Sequence, residues 1–392
     1  MAKHKKLSKR QRRKRKLVLF IIEIIILILV AGVLFLYSKL NLINNEKLDA
    51  SKVGKADVSA ETQTTFNGYT TIALLGLDNR EMGDYKTGNS DVIMVMNINN
   101  ETKEVSLVSI YRDTFLNVAG EGEEAYFRKA NAAYAAGGAE QAVTMLNRNL
   151  DLEIDNYVAF DFSAVADVVD ILGGVDIEIE SDEELDYLNQ YIIDTSNHTG
   201  GDSTLVEHTG KQTLNGTQAV SYARIRYTSG GDYKRAERQR RVLTEIIKKA
   251  KSASLSELNS AINTVFPQIS TDLNKKDIIS MMAVMIKYDM ANSGGFPYTK
   301  DTKTINKKTG NVVVPLDLES NVIELHKQLF GTENYEPSET VKKYSQEIID
   351  LSEMDADHES DNRFSSQDEF FGNGTSTTGS DNTSDSSEGT TE

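Results

Sequence analysis

Apolar positions along the chain fall into distinct regimes. From Leu17 to Tyr37 they run unbroken except for Glu23, long enough at ~1.5 Å per residue to cross a ~30 Å hydrocarbon layer, so residues 17–37 predict a transmembrane helix. Residues 38–68 are mostly polar and read as a stalk. Residues 69–345 alternate short apolar runs with helical patterns and predict the folded domain. From about residue 352 to 392, Ser, Thr, Asp, Glu, Gly and Asn dominate. Such a segment cannot bury enough surface to offset chain entropy, and it predicts a disordered acidic tail.

Within the folded part, Thr70 to Leu77 reads as a buried strand passing into the loop Gly76-Leu-Asp-Asn-Arg80. Asp91 to Ile98 alternates as a second strand, and Val105 to Ile110 reads as a third, joined to it as a hairpin through Asn99 to Glu104. Helical spacing follows over 139–150 and over 162–172, the latter stopped by Gly173-Gly174. Val175 to Ile179 is strand-like, and 181–212 is acidic and turn-rich, a surface excursion. A strand over 219–227, helices over 235–251, 255–265 and 275–290, a strand near 311–314 and a helix near 318–330 complete the series. Interleaved strands and helices predict an α/β fold with a mostly buried central β-sheet flanked by helices, an α/β/α sandwich.

Charge sharpens this layout. The formal net charge is -16, yet residues 1–16 carry ten Lys and Arg and no acid. A basic block before an apolar span places the N-terminus in the cytoplasm and everything after roughly Lys39 outside the cell membrane. The run continues past Ala31-Gly32 to Tyr37, which favours a retained anchor over a cleaved signal peptide. The chain has no cysteine, which argues against a small disulfide-stapled secreted fold and suits an exported protein of a single-membrane bacterium. The five histidines are scattered without metal-ligand spacing, so a structural zinc site is not expected.

Against that acidity, Arg224, Arg226, Arg235, Arg238, Arg240 and Arg241 stand close together with only Asp232 and Glu237 among them. Read as a strand, Arg224 and Arg226 share one face. Arg235, Arg238 and Gln239 fall at i, i+3 and i+4 of a helix. Forked guanidinium donors match phosphate or carboxylate oxygens, so the cluster predicts an anion site. Asp78 and Asp91 stand at the end of one predicted strand and the beginning of the next, and two carboxylates beside an arginine pocket can hold Mg²⁺ (or Mn²⁺) against phosphate. Arg80, Arg112 and Asp113 occupy strand C-terminal ends, where α/β sheets place ligands.

Seven ordered segments, Leu75-Gly-Leu-Asp-Asn-Arg80, Ser90-Asp91, Val108-Ser-Ile-Tyr-Arg-Asp-Thr114, Lys129-Ala-Asn-Ala-Ala-Tyr134, Gly173-Gly-Val175, Leu214-Asn-Gly-Thr-Gln-Ala219 and Tyr222-Ala-Arg-Ile-Arg226 with Asp232, Arg235, Arg238 and Gln239, resemble the motifs of the LytR-CpsA-Psr family over roughly residues 68–250. The resemblance implies an extracytoplasmic phosphotransferase that moves an anionic glycopolymer, teichoic acid or capsule, from a polyprenyl-pyrophosphate carrier to peptidoglycan. It implies Asp78 and Asp91 on Mg²⁺, and Arg80, Arg112, Arg224, Arg226, Arg235 and Gln239 on the pyrophosphate, with Asp232 and Arg238 in support. Asp113 or Asp78 could accept the hydroxyl proton, although a loose transition state makes little demand on a base. The family commonly has Pro before the Arg-Asp pair; here the residue is Tyr111.

A polyprenyl carrier also needs an apolar groove. Val165, Val168, Val169 and Leu172, or Met281, Met282, Met285 and Met290, are candidates, although core packing explains either stripe. The same pocket with water as acceptor would make a polyprenyl-pyrophosphate hydrolase. A membrane-bound transcriptional regulator is the remaining alternative, but the basic segment has no reading domain and no nucleic-acid partner is expected.

Overall fold

A computed structural model describes residues 37–77, 85, 88–199 and 201–358. In chain order these form β1 (Asn44–Asn45), α1 (Ala60–Phe66), β2 (Tyr69–Leu77), β3 (Ser90–Asn99), β4 (Glu104–Ile110), β5 (Phe115–Asn117), β6 (Phe127–Lys129) and α2 (Ala132–Leu150). Next come β7 (Asn156–Asp161), α3 (Phe162–Ile171), β8 (Val175–Ile179), α4 (Asp182–Thr199), β9 (Gly210–Leu214), α5 (Gly216–Arg224), α6 (Gly231–Ser252) and α7 (Leu255–Val265). The last are β10 (Ile269–Thr271), α8 (Lys275–Val284), β11 (Asp289–Phe296), β12 (Lys300–Asn306), β13 (Gly310–Pro315), α9 (Leu318–Phe330) and α10 (Glu339–Ser352).

The period-two pattern of β2 to β4 is what builds the layers. Ala73, Leu75, Leu77, Ile93, Val95, Val108 and Ile110 project to one face, where α2, α9 and α10 supply Val143, Leu146, Leu325 and Ile348. Ile72, Leu74, Val92, Met94 and Leu107 project to the other, against Phe162 of α3, Leu243 of α6 and Ile278 and Met281 of α8. Both faces of the sheet are therefore covered by helices, as the sandwich expectation required. Each fully buried Leu, Ile or Val adds roughly 1.5–3 kcal/mol.

The sheet is mixed, in the order β1-β10-β7-β2-β3-β4-β11. β2 to β4 form an antiparallel meander, with the hairpin expected at 99–104. β7 runs parallel to β2, and β11 parallel to β4. A satellite unit of α3, β8, α4, β9 and α5 has its own core around Val169, Ile177, Leu188, Ile192 and Tyr222.

Several expectations are corrected. Residues 219–227 are not a strand: Asn215 and Gln218 form a reciprocal capping box that starts α5, which continues to Arg224. The acidic stretch 181–212 is mostly α4, with Asp182, Glu183 and Glu184 in the first turn, where they suit the positive end of the helix dipole. The helix expected to reach residue 290 stops at Val284, and residues 289–296 form an edge strand instead. The polar stretch 38–68 is more than a stalk, because it adds β1 to the sheet and buries Leu40, Val53 and Phe66. The ordered body also passes residue 345: α10 runs to Ser352, and Met354 is buried beyond it. No described helix is long and apolar enough to cross a membrane. Residues 17–36 of the expected span and residues 359–392 of the expected tail lie outside the described residues.

Asp272, between β10 and α8, ties β10 to its neighbour β7 by accepting the Tyr157 N–H at 2.8 Å. Burial is the main cause that pushes its carboxyl up to about 6. A folded-state value above the unfolded one means that its stabilising contribution is complete near pH 4 and is lost as pH rises through 6. Asp272→Asn keeps the acceptor and removes the titration. We expect urea midpoints of the variant to lose this part of their decline between pH 4 and 7, with a gain at pH 7 of about 1–2 kcal/mol.

Candidate active site

One end of the sheet collects the chemistry-bearing residues because of strand direction. β2 ends at Leu77 opposite Ser90, where β3 begins, and beside Asp161, where β7 ends. β4 ends at Ile110 beside Phe296 of β11 and passes directly into Tyr111, Arg112 and Asp113. The connection from β2 to β3 carries Asp78 and Arg80, both outside the described residues. Above this edge, Gly230 and Gly231 have φ of 88° and 50°. That left-handed turn, cheap only for glycine, aims the start of α6 at the strand ends and delivers Asp232 and Arg235.

These side chains form a connected lattice of opposite charges. Arg112 Nη1 donates to Asp91 Oδ2 at 2.7 Å, and its Nε lies 3.9 Å from Asp113 Oδ1. Asp113 also meets Lys129 Nζ at 3.1 Å and Arg226 Nη2 at 4.0 Å. Asp232 joins Arg226 at 3.0 Å through one oxygen and Arg235 at 3.1 Å through the other. Among the described residues the lattice thus sets four cations against three carboxylates. Arg235 is 9% exposed, and burial, followed by Asp232 pulling the other way, leaves its guanidinium below the ordinary arginine value. Burial also opposes the charge of Arg112, but Asp91 and Asp113 more than offset it. Among the described residues the Nε atoms of both arginines are buried without a hydrogen-bond acceptor, and Asp232 Oδ1 beside them is buried without a hydrogen-bond donor. Buried charged donors normally find an acceptor, so a cation-rich site with two spare N–H groups is short of an anion.

Two cavities lie near the lattice, one lined by its own residues and the other reached through Val92, next to Asp91. An apolar cavity of about 50 Å³ lies under α3, α5 and α6, lined by Val92, Met94, Phe162, Val165, Gln239 and Leu243. A polar one of about 410 Å³ faces the β12–β13 hairpin and is lined by Asp113, Lys129, Arg226, Asp232, Asp301 and Asn311. Of the two expected apolar stripes, Val165 lines the apolar cavity. Val169 is buried in the satellite core instead, and Met281, partly buried, packs against the second sheet face.

The structure therefore brings Asp91, Arg112, Asp113, Arg226, Asp232 and Arg235 together, and separates others from them. Arg224 ends a helix rather than sharing a strand face with Arg226, and it turns to α4, donating to Thr195 Oγ1 at 2.8 Å and meeting Asp194 at 3.1 Å. Arg238 points into the protein: Nε donates to the buried Glu184 at 2.7 Å, and its other nitrogens reach Thr228 and the Ile225 carbonyl. It is a brace between α6 and α4, not a substrate donor. Gln239 faces the apolar cavity rather than the cation lattice. Lys129 was missed as a site residue, although it lies within one of the segments singled out in the sequence.

Tyr111 also finds its explanation. It is buried against Tyr233, with ring centroids 4.7 Å apart, and Lys300 Nζ sits 5.2 Å and 4.8 Å from the two ring centres. Any side chain at Gly295 would collide with the Tyr111 hydroxyl. The aromatic pair thus fastens the Arg112 loop to α6 and the β12–β13 hairpin, which gives the loop a fixed shape without proline.

An α/β sheet that gathers this cation-rich lattice at one end defines a candidate anion-binding protein. The chain belongs to the LytR_cpsA_psr family, whose model matches residues 31–311. It is 32% identical over 235 residues to the polyisoprenyl-teichoic acid–peptidoglycan teichoic acid transferase TagU of Enterococcus faecalis, covering 59% of this chain and 69% of that one. It is 31% identical to biofilm regulatory protein A of Streptococcus mutans, covering 52% of this chain and 50% of the relative. Its fold is also that of the family protein YwtF (TagT) solved with bound octaprenyl pyrophosphate lipid, with a TM-score of 0.52 at 23% identity, covering 74% of this chain and all of the other.

The brace role of Arg238 has a measurable consequence. Glu184→Ala strands a buried guanidinium, and the urea midpoint is expected to report a loss of about 3 kcal/mol or more.

Proposed function

We propose that this chain is a membrane-anchored transferase that moves a teichoic-acid-type glycopolymer from a polyprenyl-pyrophosphate carrier to a peptidoglycan hydroxyl outside the cell. The observation that carries this reading is the cation-excess lattice with its two unaccepted guanidinium N–H groups, set near one apolar and one polar cavity. A pyrophosphate supplies the missing acceptors, its polyprenyl tail belongs on the side of Val92, Phe162 and Leu243, and its sugars belong on the polar side. The relationship to TagU supplies the glycopolymer class.

In the reaction the acceptor hydroxyl oxygen attacks the phosphorus next to the glycopolymer, and the bond from that phosphorus to the bridging oxygen breaks. Polyprenyl phosphate leaves with the bridging oxygen, the polymer gains a phosphodiester, and the hydroxyl proton is released. Arg112 and Arg235 hold the charge that spreads over the non-bridging oxygens, while Asp91, Asp113 and Asp232 fix the arginines beforehand, so little reorganisation accompanies the step. Both oxygens of Asp113 face cations, which makes it a positioning group for Arg112, Lys129 and Arg226. A loose phosphoryl transition state makes little demand on a general base.

The donor set at this edge is all hard oxygen, which fits Mg²⁺ or Mn²⁺ rather than a soft metal. Asp91 keeps one oxygen beyond its bond to Arg112, and with Asp78 it would hold the ion against the pyrophosphate. When bound, the ion neutralises phosphate charge. The apolar cavity is small, about 50 Å³, so a prenyl chain enters as side chains of α3 and α6 give way.

The test uses the full chain in detergent with a lipid-linked teichoic acid precursor, MgCl₂ and peptidoglycan oligosaccharides. A phosphodiester conjugate is expected, and Arg112→Ala or Arg235→Ala should each cut turnover about 10²-fold or more. Arg224→Ala, whose partners lie on α4, should cost less. EDTA should stop turnover and Mg²⁺ restore it; turnover indifferent to chelation would remove the metal from the scheme. Free phosphorylated polymer with no conjugate would replace transfer by hydrolysis.

A further inference from the structure

Helices α7 and α8 look like elements with one neighbour missing. No side chain of α7 is buried, and none of those described in α8 is, despite Leu255, Leu258, Ile262, Ile278, Met281 and Met282. Leu255 is 87% exposed, and Ile286, just after α8, is 67% exposed. Single exposed apolar residues are ordinary; two adjacent helices without a buried side chain are not.

The start of the described chain is fastened to this same pair. Tyr37 stacks under Lys275 Nζ at 4.6 Å, Lys39 Nζ donates to Asn263 of α7 at 2.6 Å, and Asn44 Nδ2 donates to the Pro267 carbonyl at 3.0 Å. β1 then pairs with β10, between the two helices in sequence. The apolar run of residues 17–37 ends at Tyr37, so α7 and α8 lie within a few residues of where that run ends. At the far end, Lys251 Nζ clamps the Tyr288 carbonyl and Asp289, bringing the segments that carry Leu255 and Ile286 together. In a chain of net charge -16, residues 248–289 hold six lysines and four carboxylates, and Lys276 and Lys287 are exposed. Exposed apolar side chains with Lys276 and Lys287 on the same segment suit an anionic bilayer surface.

This face also leads to the apolar cavity. α7 packs on α3, and Ile278 and Met281 of α8 share a cluster with Leu243 of α6; Phe162 and Val165 of α3 and Leu243 of α6 line the cavity. We propose that α7, α8 and the turn Met285–Lys287 seat on the outer leaflet of an anionic membrane and form the portal through which a lipid tail passes to the cavity. The proposal rests on the anchored transferase reading, and its occupant is the bilayer itself.

Because the chain has no cysteine, single-cysteine labelling tests this directly. Full-length Leu255→Cys, Ile286→Cys and Leu351→Cys, the last exposed on α10 over the opposite sheet face, would carry a bimane and be reconstituted into phosphatidylglycerol-phosphatidylcholine vesicles containing a nitroxide lipid. Quenching at 255 and 286 but not at 351 is the expected result. Equal quenching at all three positions in protein that floats with the vesicles would overturn the proposal and leave the anchor standing. Failure to float would remove the anchor and the proposal together, while absence of conjugate formation would touch only the transferase reading. Leu255→Glu combined with Ile286→Glu should also slow transfer from a vesicle-embedded donor about tenfold and spare a detergent-dispersed donor, since it removes apolar contact with the bilayer and nothing at the cation lattice; equal rates on both donors in the variant and the parent would count against the portal.

Discussion

The constraint on which the rest of the structure depends is the cost of keeping Arg112 and Arg235 charged at the edge of a hydrophobic sheet. Neither guanidinium can give up its proton at accessible pH, so the protein must surround both with carboxylates or leave them in water. Asp91, Asp113 and Asp232 do the first, but incompletely. A lattice with equal charges would be more comfortable and would have no use for an anion. The residual positive charge among the described residues suits an anion, and a ligand that completes the lattice would stabilise the fold by mass action as it binds. Stability and binding are therefore coupled through the same atoms.

Helix α6 shows how the surroundings serve that lattice. Its first turn presents Asp232 and Arg235 to the site, Arg238 grips Glu184 of the satellite unit, Arg241 grips Glu180 and Glu237, and Gln239 and Leu243 wall the apolar cavity. A helix projects successive residues at different angles, so one dense basic segment is shared among different jobs. Density of arginine in a sequence overstates the number that meet a ligand. The braces matter all the same: a shift of Arg235 by an ångström would undo its match to phosphate oxygens, and the buried Arg238 pair resists that shift.

The sandwich was legible because β2 to β4 alternate cleanly and both faces need cover. The convergence of Asp91, Arg112 and Asp113 was legible for a related reason, since the meander places their strand ends together, whereas Arg226, Asp232 and Arg235 reach them from the turn after α5 and the start of α6. Other features were hidden by weak or misread local signals. Residues 219–227 look alternating, yet Asn215 and Gln218 cap a helix there, and the capping box was present in the sequence to be found. β11 carries Ser293-Gly-Gly295 where a strand would ordinarily carry branched residues, because Tyr111 needs the space above Gly295. Its strand character comes from pairing with β4, which no local pattern records. Lys129 reaches the site from the β5–β6 hairpin, and only the tertiary fold brings it to Asp113.

The two cavities also give the proposed reaction a direction. In-line displacement requires the attacking and leaving oxygens to lie on opposite sides of phosphorus. An amphiphile whose tail lies on the apolar side necessarily presents its bridging oxygen toward that side and its glycopolymer phosphate toward Arg226 and Lys129. The acceptor then approaches from the polar side, where Asp301 and Asn311 of the hairpin offer hydrogen-bonding partners for sugar hydroxyls. Release of the lipid phosphate away from the newly formed phosphodiester thus follows from the amphipathic division of the site, and the charged lattice sits where that division falls.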